Sequence, residues 1–108
     1  MLPIFAYGTL LEPPTLEALG LVPTARQAAV AMGQRVQGER EYPAVSFDSG
    51  TEEISGQLLW FDSEVLGDVI RRLDSYEDHP RLFRRVQVQA TTAEGQVVAY
   101  SYEWSNAR

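Results

Sequence analysis

The sequence predicts an α+β fold with a curled or barrel-like sheet. Three patterns support this. Short apolar or alternating segments recur from end to end, as strands require. A single stretch late in the chain carries the 3.6-residue period of an amphipathic helix. Strands and helices do not alternate regularly, which argues against a doubly wound α/β sheet.

Taken in order, Pro3-Ile4-Phe5-Ala6-Tyr7 reads as a short buried strand, apolar on both faces and stopped by Gly8. A loop containing Pro13-Pro14 follows, and Thr15 to Leu19 makes one or two helical turns before Gly20. The Ala, Val and Gln mixture from about Arg26 to Val36 is expected to be extended and split near Gly33. Gly38-Glu39-Arg40-Glu41 is a polar loop. Tyr42 to Phe47 is an edge strand, because Pro43 has no N–H for a ladder. Asp48-Ser49-Gly50 turns into a strand from Ile54 to Phe61. Asp62 or Ser63 then caps the main helix, with Glu64 in its first turn. Val65, Leu66, Val69, Ile70 and Leu73 form its apolar stripe. A closing hairpin alternates Val86, Val88 and Ala90 with Arg85, Gln87 and Gln89 and turns at Ala93-Glu94-Gly95. It returns with Val98, Tyr100, Tyr102 and Trp104 on one face.

Composition narrows the chemistry. The 108 residues include 9 basic and 15 acidic side chains, a net charge of −6, one histidine and no cysteine. Every basic residue is arginine. Without lysine there is no Schiff base and no P-loop of the usual kind. Without cysteine there is no thiol nucleophile, disulfide, iron–sulfur cluster or cysteine-based zinc site. The acidic balance argues against nucleic acid, which needs a basic face. No apolar run approaches the ~20 residues that cross a bilayer, and Met-Leu-Pro-Ile-Phe lacks the regions of a secretory signal. The expectation is one cytoplasmic domain spanning residues 1–108, with no metal constellation. Its catalysis must rest on carboxylates, tyrosines, arginines, hydroxyls and backbone amides.

One carboxylate stands out. At ~100° per residue, a helix that continues one turn past Leu73 places Glu77 in the middle of its apolar stripe. Asp74 and Asp78 then point elsewhere, toward water. Burial raises a carboxyl pKa and is one way to make a base that works near neutrality. Two structural readings stand beside this one. The helix ends at Ser75 or Tyr76, leaving Glu77 in a solvated turn, or Glu77 forms an ion pair with Arg84 or Arg85.

The second feature is Tyr7-Gly8-Thr9-Leu10. A glycine directly after a buried strand permits positive φ or close approach to a ligand, and successive N–H groups in such a turn can converge on an oxyanion. The plain alternative is an ordinary strand-to-loop turn. Arg81, Arg84 and Arg85 either hold a substrate carboxylate or neutralise Asp74, Asp78 and Glu77. Tyr100 or Tyr102 can carry a hydroxyl into a cavity. His79, beside Pro80 in a polar turn, reads as a surface residue.

Tyr7-Gly8-Thr9-Leu10, Leu73-Asp74-Ser75-Tyr76-Glu77 and the run His79-Pro80-Arg81-Leu82-Phe83-Arg84-Arg85-Val86 together resemble the gamma-glutamylcyclotransferase-like family. Tyr42-Pro43-Ala44-Val45 and Tyr100-Ser101-Tyr102 also fall where that family has similar residues. The resemblance is nearest to the short gamma-glutamylamine cyclotransferase-like branch. It implies a small mixed β-barrel of about six or seven strands with one main amphipathic helix and short flanking helical turns. It further implies conversion of a small γ-glutamyl compound to 5-oxoproline with release of an amine or amino acid, without a cofactor. Glu77 is the position matching the family's general base and acid. Tyr7, Gly8, Thr9, Leu10, Tyr42, Arg85 and Tyr102 are the expected substrate-binding residues. Leu11-Glu12-Pro13-Pro14-Thr15 departs from the branch's usual continuation, which leaves the leaving amine open. A binding module that holds a small metabolite in the same cavity, or another acyl-transfer enzyme, is the rival reading.

Overall fold

The computed structural model describes residues 2–8, 13–37, 43–47, 50–77 and 83–104. In chain order these form β1 (Ile4–Ala6), α1 (Pro13–Leu19), β2 (Ala25–Gln37), β3 (Pro43–Ser46), β4 (Glu52–Trp60), α2 (Ser63–Tyr76), β5 (Phe83–Thr92) and β6 (Gly95–Trp104). Five strands run in the order β2-β4-β1-β6-β5, and β5 closes back on β2 through Val30–Thr91 and Ala31–Ala90. The sixth strand, β3, lies along β2 outside this ring. Among the described residues only the contact of β1 with β6 is parallel. The fold is therefore α+β, a closed five-stranded barrel with one extra strand and one main helix.

The barrel divides the apolar residues by strand alternation. Phe5, Ala29, Ala31, Ile54, Leu58, Val88, Ala90 and Ala99 pack together as one buried cluster. Ile4, Ala6 and Leu59, from the opposite faces of β1 and β4, join a second cluster with the two helices. Leu16 comes from α1, and Val69 and Leu73 come from α2. β1 is only three residues long, yet all three are buried because it lies between β4 and β6. Gly56 of β4 makes that packing possible. A Cβ there would sit 2.3 Å from the Ala6 carbonyl oxygen and 2.9 Å from the Phe5 ring.

Several elements differ from expectation. The chain from Ala25 to Gln37 is one unbroken strand rather than a strand split at Gly33. What changes at Gly33 is the neighbour: residues 25–33 pair with β4, and Gln34 onward pairs with β3. Asp62 is the helix N-cap, but its side chain makes no capping bond; its backbone carbonyl accepts from the Val65 N–H at 3.1 Å. Val65 and Val98 are exposed, so each extends an apolar pattern beyond the face that is covered. The loop at Gly38-Glu39-Arg40-Glu41 and the Asp48-Ser49 part of its turn lie outside the described residues, as does the Trp104 side chain.

Candidate active site

The two features singled out above come together at one end of β1. Helix α2 ends at Tyr76, where one of the structural readings placed its end, and Glu77 follows without leaving the helical course. The Glu77 N–H donates to the Leu73 carbonyl at 2.9 Å, and Glu77 itself is the C-cap, still in right-handed helical conformation. Leu73 is fully buried among Ile4, Ala6 and Tyr102, which draws the last turn of the helix onto the barrel. Glu77 follows it inward and is half-buried. Desolvation lifts its carboxyl pKa from an ordinary 4.5 to about 7. Among the described residues no hydrogen bond or ion pair compensates its charge. Arg84 is paired with Glu103 and Arg85 with Asp74, so neither described arginine forms an ion pair with Glu77.

Tyr7, just past the end of β1, lies close enough to this carboxylate to feel its charge, and Gly8 follows it in the chain. Gly8 has φ 67°, a conformation open to glycine at little cost, and it is exposed. The Tyr7 ring packs on Phe5 and Phe47 at centroid distances of 6.2 and 5.8 Å. Its hydroxyl donates to the Tyr102 carbonyl. Burial, then the nearby Glu77 and Glu103 carboxylates, push the Tyr7 pKa above its ordinary value. Tyr7 is therefore a lasting hydrogen-bond donor. Thr9, Leu10 and Tyr42 lie outside the described residues.

Arg85 and Tyr102 sit opposite each other across β5 and β6. Both turn to Asp74, one helical turn before Glu77. The Tyr102 hydroxyl donates to Asp74 Oδ1 at 2.5 Å, and Arg85 Nη1 donates to Oδ2. Burial and then the Asp74 hydrogen bond raise the Tyr102 pKa. The hydrogen bond from its guanidinium to Asp74 leads the rise at Arg85. Arg85 also lies 6.0 Å from the centre of the Tyr100 ring. Asp74 was expected to face water. Instead it is clamped between helix and hairpin, because Arg85 and Tyr102 supply donors that a projection of the helix alone does not contain.

One register step away, Arg84 and Glu103 meet on the other face of the same hairpin. The Glu103 side chain is 4% exposed. It accepts from Arg84 and from the Phe47 N–H at 2.9 Å, tying the end of β3 to β6. Sequence reasoning passed over Glu103. Its signal was period-two alternation with Ala99 and Ser101, both buried, beneath a more conspicuous run of aromatics on the opposite face. A separate surface groove of about 810 Å3 is lined by residues including Met32, Ser55, Gln87 and Gln96. It contains neither Glu77 nor Gly8, and Glu53 is its only titratable described residue.

The described site is thus a half-buried carboxyl whose pKa burial raises to about 7, at a helix end close to Tyr7 on a small closed barrel. The family model for gamma-glutamyl cyclotransferase, AIG2-like, matches residues 4–108, and the chain belongs to that family. No curated protein matches. Among solved structures, a protein of Arabidopsis thaliana has a TM-score of 0.71 at 23% identity, over 97% of this chain and 62% of its own. The present chain thus spans less than two thirds of that relative. An AIG2-like protein from Mus musculus gives 0.68 at 21% identity, over 100% of this chain and 80% of its own. A structure described as gamma-glutamyl cyclotransferase gives 0.67 at 18% identity, over 99% and 68%. These three likenesses show the shared fold. No helix among the described residues is long and apolar enough to cross a membrane.

Proposed function

We propose that the chain is a cytoplasmic γ-glutamyl cyclotransferase that acts as a single domain on a small γ-glutamyl amine or amino acid, with Glu77 as general base and acid. The substrate's own α-amino nitrogen is the nucleophile. Its pKa near ~8 leaves it mostly protonated at neutral pH, so a base must first remove a proton. Glu77, titrating near 7, can take that proton in its ionised form. The nitrogen then attacks the γ-carbonyl carbon and a carbon–nitrogen bond forms. The tetrahedral oxyanion is held by backbone N–H groups of the Gly8-Thr9-Leu10 turn. Collapse breaks the original γ-amide bond; Glu77 returns its proton to the leaving nitrogen, and the attacking nitrogen gives up its second proton to water. The products are 5-oxoproline and a free amine. Curling the glutamyl chain onto itself supplies the orientation term, and no thiol, imidazole or metal takes part.

The observation that carries this reading is the Glu77 carboxyl at the helix end, desolvated and beside the Tyr7-Gly8 turn. A pure binder of anionic glutamyl groups gains little from a carboxylate there, which weighs against the binding-module alternative. The test is 5-oxoproline release from a panel of γ-glutamyl amines and amino acids. Glu77→Gln keeps the side-chain volume and lowers turnover ~10²-fold or more. In the parent protein kcat/KM falls as pH drops below about 7, where Glu77 becomes protonated. Undiminished release by Glu77→Gln excludes this mechanism.

A further inference from the structure

The hydrogen bonds around Asp74 run between elements that carry different parts of the site. Asp74 lies on α2, three residues before Glu77. Its Oδ1 accepts from Tyr102 on β6 and its Oδ2 from Arg85 on β5. The Tyr102 backbone carbonyl in turn accepts from the hydroxyl of Tyr7, which directly precedes Gly8. A continuous path therefore joins the helix end bearing Glu77 to the strand end bearing the glycine turn. The last turn of α2 carries no basic residue to answer the helix dipole, and Leu73 supplies packing without direction.

We propose that Asp74–Tyr102–Tyr7, braced by Arg85, is a strut that sets the position of the Glu77 carboxyl against the Gly8 turn, which makes Asp74 a positioning residue. The inference deepens the cyclotransferase reading and takes the role of Glu77 from it. Its physical content is that Glu77 is buried because Asp74 is tied down. When the tie is cut, the last turn of α2 frays, water reaches the carboxyl and its desolvation is relieved. The described titratable and charged groups around the path are Glu77, Arg85, Tyr7, Tyr102 and the Arg84–Glu103 pair. Desolvation is the cause of the high Glu77 pKa, so loosening the helix lowers it.

The experiment is a carbon-13 NMR titration of the Glu77 carboxyl in full-length protein labelled at glutamate, with the resonance assigned by its loss in Glu77→Gln. The variants are Asp74→Asn, which cuts the ion pair from the helix side, and Arg85→Gln, which cuts it from β5 without changing any residue of α2. In both, the midpoint is expected to fall from near 7 toward 4.5, by about one unit or more. The Glu77 amide is expected to exchange faster with solvent. An unchanged midpoint in a folded Arg85→Gln overturns the strut. A raised midpoint there also overturns it, since it signals direct attraction between Arg85 and Glu77. Turnover is read separately. If the midpoints shift as expected while the parent protein releases no 5-oxoproline, the strut stands and the cyclotransferase reading fails. If both hold, the acid limb of kcat/KM moves with the midpoint and kcat falls more than KM rises.

Discussion

Two carboxylates lie near Tyr7, and their surroundings give them opposite characters. Glu103, near the end of β6, is the more deeply buried of the two and is answered: a guanidinium and a backbone N–H converge on it. Glu77, at the end of α2, is less buried but has no such partner among the described residues, and its pKa rises to about 7. Depth of burial is therefore not what separates the two; the partners each one finds are. A carboxylate that is desolvated and compensated works as a fastener between β3, β5 and β6. One that is desolvated and left uncompensated holds a proton loosely at neutral pH, which is what proton transfer needs.

Removing the fastener gives the largest expected effect on stability. Glu103→Ala leaves Arg84 without its carboxylate and the Phe47 N–H without its acceptor. The Arg84 side chain is half exposed and can turn to water, so the cost lies in the lost charge-assisted hydrogen bonds and the stranded N–H, about 3 kcal/mol together, and thermal melting is expected to drop by roughly 10 °C. A melting point within a degree of the parent would show that the pair holds nothing together.

The opposite outcome is expected at Glu77. Between pH 4.5 and about 7 the folded protein binds more protons at this residue than the unfolded chain does. Stability contributed by the site is therefore lost as pH rises through that window. Glu77→Gln carries no such penalty. It should be more stable than the parent at pH 8, by up to about 3 kcal/mol, with the gap closing by pH 4. Denaturant titrations at the two pH values measure this. A Gln variant that is no more stable at pH 8 than at pH 4, relative to the parent, would put Glu77 in water. If the Gln variant is stabilised as expected, stability is gained at the same residue where the cyclotransferase reading expects turnover to be lost.

The smallest effect belongs to a pair that is compensated but not desolvated. Arg35 and Glu52 meet at 3.3 Å with side chains 60% and 39% exposed. Glu52→Gln is expected to shift stability by no more than about 0.5 kcal/mol, a change that raised salt largely erases. A loss rivalling that of Glu103→Ala would mean that exposure is a poor guide to the value of an ion pair in this barrel.

What was legible in the sequence followed from local periodicity. The spacing of Leu66, Val69, Ile70 and Leu73 marked the helix, and extending it by one turn placed Glu77 on the inward side before any partner was known. The pleat marked β5 and β6, Pro43 marked an edge strand, and Gly8 marked a strand end with unusual backbone. The rest depended on register between distant segments. Asp74 looked solvent-facing because its two partners arrive from residues 85 and 102, and no helical projection contains them. Glu103 was hidden because an alternating strand has two faces and the aromatic one drew the eye. Gly33 looked like a break because the sequence does not say that a strand can change neighbours without stopping. The closure of β5 onto β2 rests on so few residue pairs that no local pattern announces it.

The position of β1 has a consequence for how the molecule comes into being. Its neighbours are β4 and β6, so three residues near the start of the chain stay unpaired until segments some fifty and a hundred positions later arrive. Such long closures are slow to form and are made late. Glu77 belongs to a helix that can form early, whereas the glycine turn opposite it is held only once β6 has docked. A nascent or partly folded chain therefore carries Glu77 before Tyr7 is held near it, and the site is complete only with the final closing of the ring.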